Sequence, residues 1–585
     1  MAYQPPQRFG ALDAVFLNFE SKEMPLHIGG VCVFDGKIPF DRFVASIESK
    51  LDQIPRYRQK VMRPFLDIGY PTWQWDTEFD IGRHMFHVTL DAPGSEEQLR
   101  QLANRLFTPM MDRSKPLWEL YVVDGLEGGR SAIIAKIHHC IVDGVAGIGL
   151  LNIMLDPSPD EPRRLPKPKP FNPPPPPDAP TLFMDALADS LKQFPKRVTD
   201  VRDGVLGYAG MVAGDNVALL GVERIMDMLP ELLSPLEKLP FNRPCSGERR
   251  VFWNRFSFQE ARAIRTAAGG SVNDVVLTVL AGAVSRYTKM HRQTVKNRFF
   301  RAMVPVNLRP PDGGTGVGNL ISMLPVTLPL GIADPIRRLR HINEQTLAMK
   351  ASRMAELVRV SIAWLGVLPP AVQSFLAANT QWLNTLIPIF HMVCTNVPGP
   401  QIPLYTCGKR MLTMYPHVPT GMDVGISMAV NSYDQKLFFA LTSDAKAAPD
   451  AGRMQEFLNA AWVELREAAG VPEMEPHVTH TRVPRRERAK AKTAKAAAKE
   501  SPKAAPKAEP KSKAQRRAPA EVPVEAAGEA PVEPAAHAPV EPAAHAPHRP
   551  VEQTVTEPAL ADSGGEEEAL EDATLMPEEV MEAAG

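Results

Sequence analysis

A dense run of proline in the first third of the chain is the strongest constraint on its fold. Ten prolines lie between residues 162 and 180. Because proline has a fixed φ and no backbone N–H, this stretch cannot continue a helix or a central strand, and it is predicted to form an extended, semi-rigid connector. The connector, followed by an apolar helical region predicted over about 182–239, separates two folded parts of the chain.

Both parts show helical and strand-like segments in alternation, which predicts α/β domains. In the first part, Ser95 and Gln98 form the pattern of a helical capping box, and residues 117–123 form an apolar strand. The second part begins with a strand at Arg249 and contains further elements of the same kind. They are a helix with a capping box at Ser257 and Glu260, a helix from Ser271, strands at 301–306 and 322–327, and a hairpin over 424–441 that turns at 431–434.

The composition changes again beyond about residue 480. Residues 482–517 carry 14 Lys or Arg against 3 Glu, whereas residues 518–585 carry 1 Arg against 16 Asp or Glu. A segment rich in Ala, Pro and charge buries too little apolar surface to fold alone, so we predict a disordered tail. Its basic half could meet anionic lipid, nucleic acid or the acidic half, and a merely solvated tail is an equal alternative. The predicted boundaries are 1–155 and 246–475 for two domains, 156–245 for the linker and helical connector, and 476–585 for the tail.

Charge, cysteine usage and hydropathy exclude several classes of protein. The tail carries a net charge of −4, which leaves the folded part at +3 of the whole-chain −1. This balance is no nucleic-acid signature, and no specific nucleic acid partner is expected. Five cysteines without CxxC spacing indicate neither a disulfide framework nor a zinc site, and no metal or redox cofactor is expected. The amino terminus lacks a secretory signal, and no apolar run reaches the roughly 18 to 20 residues that cross a bilayer. Membrane contact would then come from the surface, through 205–229 or 358–375, unless these stretches are buried core helices.

The segment SAIIAKIHHCIVDGVAGIGLL holds the candidate reactive group. Its first half reads as a buried strand and its second half as a helix, so His138 and His139 lie where a strand gives way to a helix. Histidine has an unperturbed pKa of roughly 6.5, which suits it to take a proton near neutral pH. The pair is equally compatible with a structural or solvated role, and Asp143 with a helix N-cap. Cys140 is an alternative nucleophile, although free cysteine commonly behaves as a small buried hydrophobe.

Several further runs accompany the His-His-x-x-x-Asp-Gly element. They are FLNFE ending at Glu20, PLW at 116–118, VNDVVL at 272–277, VPVNLRP at 304–310 and NVPGP at 396–400. Together they resemble the bacterial wax ester synthase/diacylglycerol acyltransferase family, over residues from about 10 to 470. The histidine element alone is shared with chloramphenicol acetyltransferases, plant BAHD acyltransferases and peptide-synthetase condensation domains.

The resemblance implies an α/β fold of the α+β type, in which two chloramphenicol-acetyltransferase-like domains enclose a channel that opens on two sides. It implies transfer of a long-chain acyl group from acyl-CoA to diacylglycerol or a fatty alcohol, with acyl-CoA as a substrate and no cofactor. It further implies a cytoplasmic protein that is peripherally associated with the inner face of the plasma membrane or with lipid droplets.

The resemblance also assigns roles to particular residues. His139 is implied as the general base, His138 as the residue that positions it, and Asp143 as the residue that shapes the loop. Asn273, Glu20 and Gly144 are expected on the substrate-binding side. Asn273 is a reasonable oxyanion donor at a helix N-terminus, while helix capping by Asn273 and Asp274 is the structural alternative.

Three functional interpretations remain open from the sequence. The first is the O-acyltransferase described above, acting by direct transfer without an acyl-enzyme because no activated serine or cysteine is apparent. The second is acyl transfer to another hydroxyl, such as that of a sugar or a polyketide lipid. The third is a non-catalytic protein that binds lipid bodies.

Overall fold

The computed structural model describes residues 7–142, 144–160, 165, 171–213, 236–307, 321–351, 367–369, 371–373, 375 and 390–474. The strands are β1 (Gln7–Arg8), β2 (His27–Phe34), β3 (Gln59–Met62), β4 (Thr72–Trp75), β5 (Met85–Thr89), β6 (Trp118–Leu126), β7 (Arg130–His138), β8 (Arg249–Ser257), β9 (Phe299–Asn307), β10 (Ile321–Pro329), β11 (Met392–Pro398), β12 (Tyr405–Thr406), β13 (Lys409–His417), β14 (Ile426–Tyr433) and β15 (Lys436–Asp444). The helices are α1 (Ala11–Phe19), α2 (Phe40–Glu48), α3 (Glu96–Phe107), α4 (Gly144–Met154), α5 (Ala179–Ala213), α6 (Phe258–Ala268), α7 (Val272–Met290), α8 (Pro335–Ala351) and α9 (Gly452–Ala468).

Two six-stranded sheets form the centre of the molecule. The first has the order β12-β13-β2-β7-β6-β5, and the second has the order β10-β9-β11-β14-β15-β8. Most neighbouring strands are antiparallel, but β5 pairs parallel with β6, and β11 pairs parallel with both β9 and β14. A small sheet, β1-β4-β3, lies beside the first half. The predicted α/β fold with two acyltransferase-like halves is confirmed.

The first sheet recruits a strand from far along the chain. β13 pairs antiparallel with β2, from Met411 opposite Phe34 to His417 opposite Gly29. The second half of the chain therefore completes the sheet that the first half begins, and the two sheets do not divide at a single point of the sequence. The boundaries at 155 and 246 stay predictions, and the predicted tail lies outside the described residues.

Buried polar contacts join the two halves. Arg249 at the start of β8 is only 1% exposed, and its guanidinium donates to Asp444 and to the backbone oxygens of Glu23 and Thr420. Its backbone N–H donates to the Thr108 hydroxyl, just after α3. Because each buried donor would be costly to leave unpaired, these bonds fix the first half against the second.

Local patterns predicted where most elements begin, but several ends differ. The strand predicted over 117–123 runs to Leu126, and residues 236–239, expected at the end of the helical region, are not helical. Ser95 and Gln98 form the expected capping box. The box at Ser257 is only half formed, because the Glu260 carboxylate accepts from Trp462 Nε1 and Met474 N–H instead. The predicted hairpin forms, but β14 continues to Tyr433 and the turn lies at Asp434 and Gln435, both with positive φ. All eight residues of β14 are buried, so its sequence lacks the alternation that would mark where it ends.

No single helix in the described part of the chain is both long and apolar enough to cross a membrane. The pair Phe258–Ala268 and Val272–Met290, bent by 96°, meets the length and composition criteria only when taken together.

Candidate active site

The two histidines lie where the sequence placed them, at the end of β7. The His138 backbone N–H donates to the Leu117 oxygen, and the His139 N–H donates to the Leu26 oxygen. Leu117 belongs to the PLW run, whose Trp118 is fully buried and donates its indole N–H to the Tyr57 oxygen. The PLW run therefore stabilises the strand end that carries the histidines, rather than contacting a substrate.

The His139 imidazole lies on the wall of an apolar cavity of ≈310 Å³. Residues on one face of β7, namely Ile133, Ala135 and Ile137, line the same cavity, because alternate residues of a strand share a face. The imidazole stacks on Phe16 of α1, with ring centroids 3.9 Å apart and an angle of 10° between the planes. This stacking fixes the ring at the cavity while leaving it half-buried.

The cavity is lined by both halves of the chain. One side comes from β2, β7 and α4, with aliphatic residues from Ile148 to Leu155. The other side comes from the second half, through Pro305, β11 and β14. Besides His139, its polar lining residues are Thr395, Asn396, His417 and Asn431. A mostly aliphatic cavity with a few polar groups beside a histidine suits an extended apolar chain that carries a reactive carbonyl.

His138 points away from this cavity and contacts Glu20. The Cys140 backbone N–H donates to His138 Nδ1 at 3.1 Å, so a neutral ring carries its proton on Nε2, which lies 3.3 Å from Glu20 Oε2. The Glu20 carboxylate also accepts from Arg113 at 2.8 Å and from the Leu26 N–H at 3.1 Å. This arrangement fixes the orientation of His138 and, through the backbone, that of the residue after it.

The Glu20 carboxyl is held ionised by these neighbours. Burial alone would raise its pKa, but the hydrogen bonds from His138 and Arg113, together with electrostatic attraction to both groups, outweigh burial and lower the pKa to about 2. Its side chain is fully buried, and Glu20 is not among the residues that line the cavity. The contacts favour a positioning role over the substrate contact that the resemblance implies.

Asn273 lies in the first turn of α7, but it does not cap the helix. The capping box is formed by Ser271 and Asp274, whose carboxylate accepts from the Ser271 N–H at 2.7 Å. Asn273 Oδ1 instead accepts from Asn396 Nδ2 at 3.4 Å. Asn396 lines the cavity and Asn273 does not, so Asn273 reaches the site through Asn396.

Three further residues were proposed from the sequence, and the structure describes two of them. Gly144 is the first residue of α4, directly after the histidine turn. Asp143 lies outside the described residues. Cys140 is buried, and desolvation together with the nearby Asp13 and Glu20 carboxylates raises the pKa of its thiol well above the usual range. A thiolate nucleophile at Cys140 is therefore strongly disfavoured.

Sequence reasoning missed several cavity residues of the second half. Asn396 belongs to the NVPGP run, which signalled a motif but no role. His417 arrives on β13 and stacks on Phe107 at 3.9 Å. Burial, with Arg249 and Lys136 nearby, lowers the pKa of His417 well below its usual value, so its ring is neutral. No local pattern marked it, because its position depends on the pairing of β13 with β2. Within the described ranges, no cluster of His, Cys, Asp or Glu could hold a metal ion.

A His-His pair at a strand–helix junction, beside an apolar cavity between two α/β halves, defines an acyltransferase of the chloramphenicol-acetyltransferase-like class. The family models agree: the wax ester synthase/diacylglycerol acyltransferase catalytic domain matches residues 9–276, and the C-terminal domain of the same family matches residues 317–466. The chain belongs to the wax ester synthase/diacylglycerol acyltransferase family and is an acyl-transferring enzyme.

Individual relatives support this assignment. Tgs2 of Mycobacterium tuberculosis, named as a probable diacylglycerol O-acyltransferase, is 31% identical over 474 residues, which cover 78% of this chain and 98% of that protein. Tgs1 of the same organism, with a name of the same kind, is 28% identical over 465 residues, which cover 78% and 94%.

Solved structures show the same fold. A wax ester synthase/diacylglycerol acyltransferase from Marinobacter aquaeolei superposes with a TM-score of 0.54 at 22% identity, covering 80% of this chain and 100% of that one. The first condensation domain of the calcium-dependent antibiotic synthetase gives 0.50 at 13% identity, covering 81% and 98%.

Proposed function

We propose that the protein transfers a long-chain acyl group from acyl-CoA to the hydroxyl of diacylglycerol or of a fatty alcohol, with His139 as general base. The single observation that carries this proposal is the position of the His139 imidazole on the wall of an apolar cavity between the two halves of the chain. The names of the relatives support diacylglycerol as an acceptor.

The reaction needs a base because an alcohol is a weak nucleophile. Its pKa, roughly 15 to 16 like that of water, leaves almost no alkoxide at neutral pH. His139 takes the hydroxyl proton as the oxygen attacks the thioester carbonyl carbon, which contributes on the order of 10²- to 10⁴-fold. The carbon–sulfur bond then breaks, and the proton passes from the imidazolium to the departing CoA thiolate.

The tetrahedral oxyanion between these steps needs donors in the same cavity. We assign this role to Asn396, because it lines the cavity and its side chain donates to Asn273 of α7. A preorganised donor of this kind contributes roughly 10²- to 10³-fold. Direct transfer in a ternary complex is part of the proposal, and it is supported by burial, which raises the pKa of the Cys140 thiol well above its usual range and disfavours a thiolate there.

The substrates also imply a location. Diacylglycerol and long-chain alcohols partition into lipid, so the enzyme acts while peripherally associated with the inner face of the plasma membrane or with lipid droplets. This part of the proposal rests on substrate chemistry alone.

An acceptor panel with one acyl donor tests the proposal. Labelled palmitoyl-CoA is incubated with diacylglycerol, hexadecanol, a sugar alcohol or no acceptor, and labelled esters and free CoA are measured. We expect ester from diacylglycerol or hexadecanol, and no stoichiometric burst of CoA without an acceptor. Ester from the sugar alcohol only would favour the alternative acceptor class, and a CoA burst would contradict direct transfer.

A further inference from the structure

The second half of the chain supplies four polar side chains to the wall of the cavity, and two of them already have partners. Asn396 and His417 each make a side-chain hydrogen bond, at 3.4 Å and 3.3 Å. Within the part of the chain that the structure describes, the Thr395 hydroxyl and the Asn431 side-chain amide have no hydrogen-bond partner. These two groups are therefore open to a ligand.

Asn431 is buried, yet its amide is not closed off. Only 7% of the residue is exposed. Neither amide atom belongs to the fully enclosed polar atoms that lack a partner, so both keep surface that opens on the cavity. An amide in a largely apolar environment is costly to leave unpaired. Whatever fills this part of the cavity should therefore bring a hydrogen-bonding group to Asn431.

Strand register places Thr395 and Asn431 on the same surface. β11 and β14 are parallel, with Thr395 opposite Ala429 and Val397 opposite Asn431, and all four residues line the cavity. Val430, which lies between the two β14 residues, belongs to the hydrophobic core on the other face of the sheet. Thr395 and Asn431 are thus two residues apart, or about 7 Å along the strands. We call the surface that they form the polar wall.

The first half of the chain supplies a wall of different chemistry. Phe43, Leu120, Ile133 and Leu151 line the cavity there, and their apolar side chains suit an acyl chain. When the acyl chain lies among these residues and its thioester lies at His139, the polar wall is left for the part of the donor beyond the sulfur atom.

We propose that Asn431 and Thr395 bind the amide groups of the pantetheine arm of acyl-CoA. This inference rests on the proposed function and names how the donor is recognised. Pantetheine carries two secondary amides that are four bonds apart, or ~5 Å. Each amide offers one N–H donor and one carbonyl acceptor, and the Asn431 side chain offers both kinds of group in return.

The same complementarity favours pantetheine over the lipid acceptor. The ester groups of diacylglycerol only accept hydrogen bonds, and its one hydroxyl gives its proton to His139 in the proposed reaction. Against an ester, the Oδ1 atom of Asn431 would stay unpaired, which is costly in an apolar cavity. An amide N–H satisfies this oxygen, so the polar wall fits the acyl donor.

Donors that differ in the pantetheine arm test the assignment on the full chain. They are palmitoyl-CoA, palmitoyl-pantetheine and the palmitoyl thioester of ethanethiol, which has no amide. Asn431→Leu and Thr395→Val remove the polar groups at nearly constant volume. Ser427→Ala is the matched control, because Ser427 is a fully buried residue of β14 whose hydroxyl lacks a partner among the described residues and does not line the cavity.

We expect Asn431→Leu to lower kcat/KM by ~10-fold for both palmitoyl-CoA and palmitoyl-pantetheine, since it removes a buried hydrogen bond to each. The ethanethiol thioester should lose less than ~2-fold, because it offers no amide to bind. Thr395→Val should show the same selectivity, at ~3-fold, and it carries the test if Asn431→Leu does not fold. The Ser427→Ala variant should match wild type with all three donors.

Three results would overturn the proposal. The first is an equal loss with all three donors in folded variants. The second is a raised KM for the acceptor with unchanged donor kinetics, which would place the lipid on the polar wall. The third is unchanged kinetics, which would mean that water alone satisfies Asn431.

Binding of an unreactive donor separates this inference from the proposed function. The thioether analogue of palmitoyl-CoA is titrated by calorimetry, and its Kd should rise ~10-fold in Asn431→Leu. If wild type transfers palmitoyl to no acceptor, the proposed function fails, and the ratio of Kd values still decides the role of Asn431. If transfer is normal but Asn431→Leu neither weakens binding nor discriminates among the donors, only the assignment of the polar wall is wrong.

Discussion

Replacing Cys32 by phenylalanine should shorten the acyl chain that the enzyme accepts. Cys32 lies on β2 and lines the cavity between Ile28, near the histidines, and Phe34, at the far end of the strand. A phenyl ring at this position would fill the cavity partway along its length.

The size of the effect follows from the strand geometry. From Ile28 to Phe34 the lined part of β2 spans ~20 Å at ~3.3 Å per residue. An extended chain advances ~1.2 Å per bond, so an acyl chain that follows this strand places about 16 carbons along it. A phenyl ring at position 32 closes off the stretch of the cavity beside residues 32–34, which is room for about six methylenes. At ~0.8 kcal/mol for each buried methylene, a C16 chain loses about 5 kcal/mol relative to a C10 chain, or more than a thousandfold.

The assay is the ratio of kcat/KM for palmitoyl-CoA to that for decanoyl-CoA, with diacylglycerol as acceptor. We expect Cys32→Phe to lower this ratio by about 10³-fold while turnover of decanoyl-CoA stays within ~10-fold of wild type. Cys32→Ala, which adds no bulk, should leave the ratio unchanged. An unchanged ratio in a folded Cys32→Phe variant would refute the assignment of this cavity to the acyl chain.

Two other predictions concern residues that support the site. Glu20→Gln should lower the free energy of unfolding by about 3 kcal/mol at neutral pH, because the carboxyl pKa rises from about 2 to 4.5 on unfolding. A lowered carboxyl pKa stabilises the folded state only above the unfolded pKa. The difference in unfolding free energy between wild type and Glu20→Gln, measured in urea titrations, should therefore fade as the pH drops from about 4.5 to 2. A difference that stays constant over this range would contradict the contacts of Glu20 with His138 and Arg113. Asn396→Ala should lower kcat by ~10²-fold, and Asn273→Ala by less. The double variant should be no worse than Asn396→Ala within threefold, whereas additive losses in steady-state kinetics would show that Asn273 acts independently.

The sequence predicted those features that depend on neighbouring residues. The buried strand before His138, the helix after Gly144, the capping box at Ser95 and the helix from Ser271 all form, because apolar periodicity and cap residues act within one or two turns. For the same reason, the position of His139 at a strand end was predictable.

The rest depends on contacts that are distant in sequence. The Arg113 side chain meets Glu20 across 93 residues, and Asn396 meets Asn273 across 123 residues. β13 joins the first sheet from almost 400 residues away. No local periodicity encodes such pairings, so the positioning role of Glu20 and the place of His417 appear only in the folded chain.

Acyl transfer by His139→Ala tests the central claim most directly. His87→Ala is the matched control, because His87 lies on the edge strand β5, bonds Asp124 of β6 and does not line the cavity. With palmitoyl-CoA and diacylglycerol, the account predicts that His139→Ala lowers kcat by ~10²- to 10⁴-fold, with the KM for palmitoyl-CoA within a few-fold of wild type. The His87→Ala variant should keep wild-type kcat. A folded His139→Ala variant that retains wild-type kcat would contradict the account.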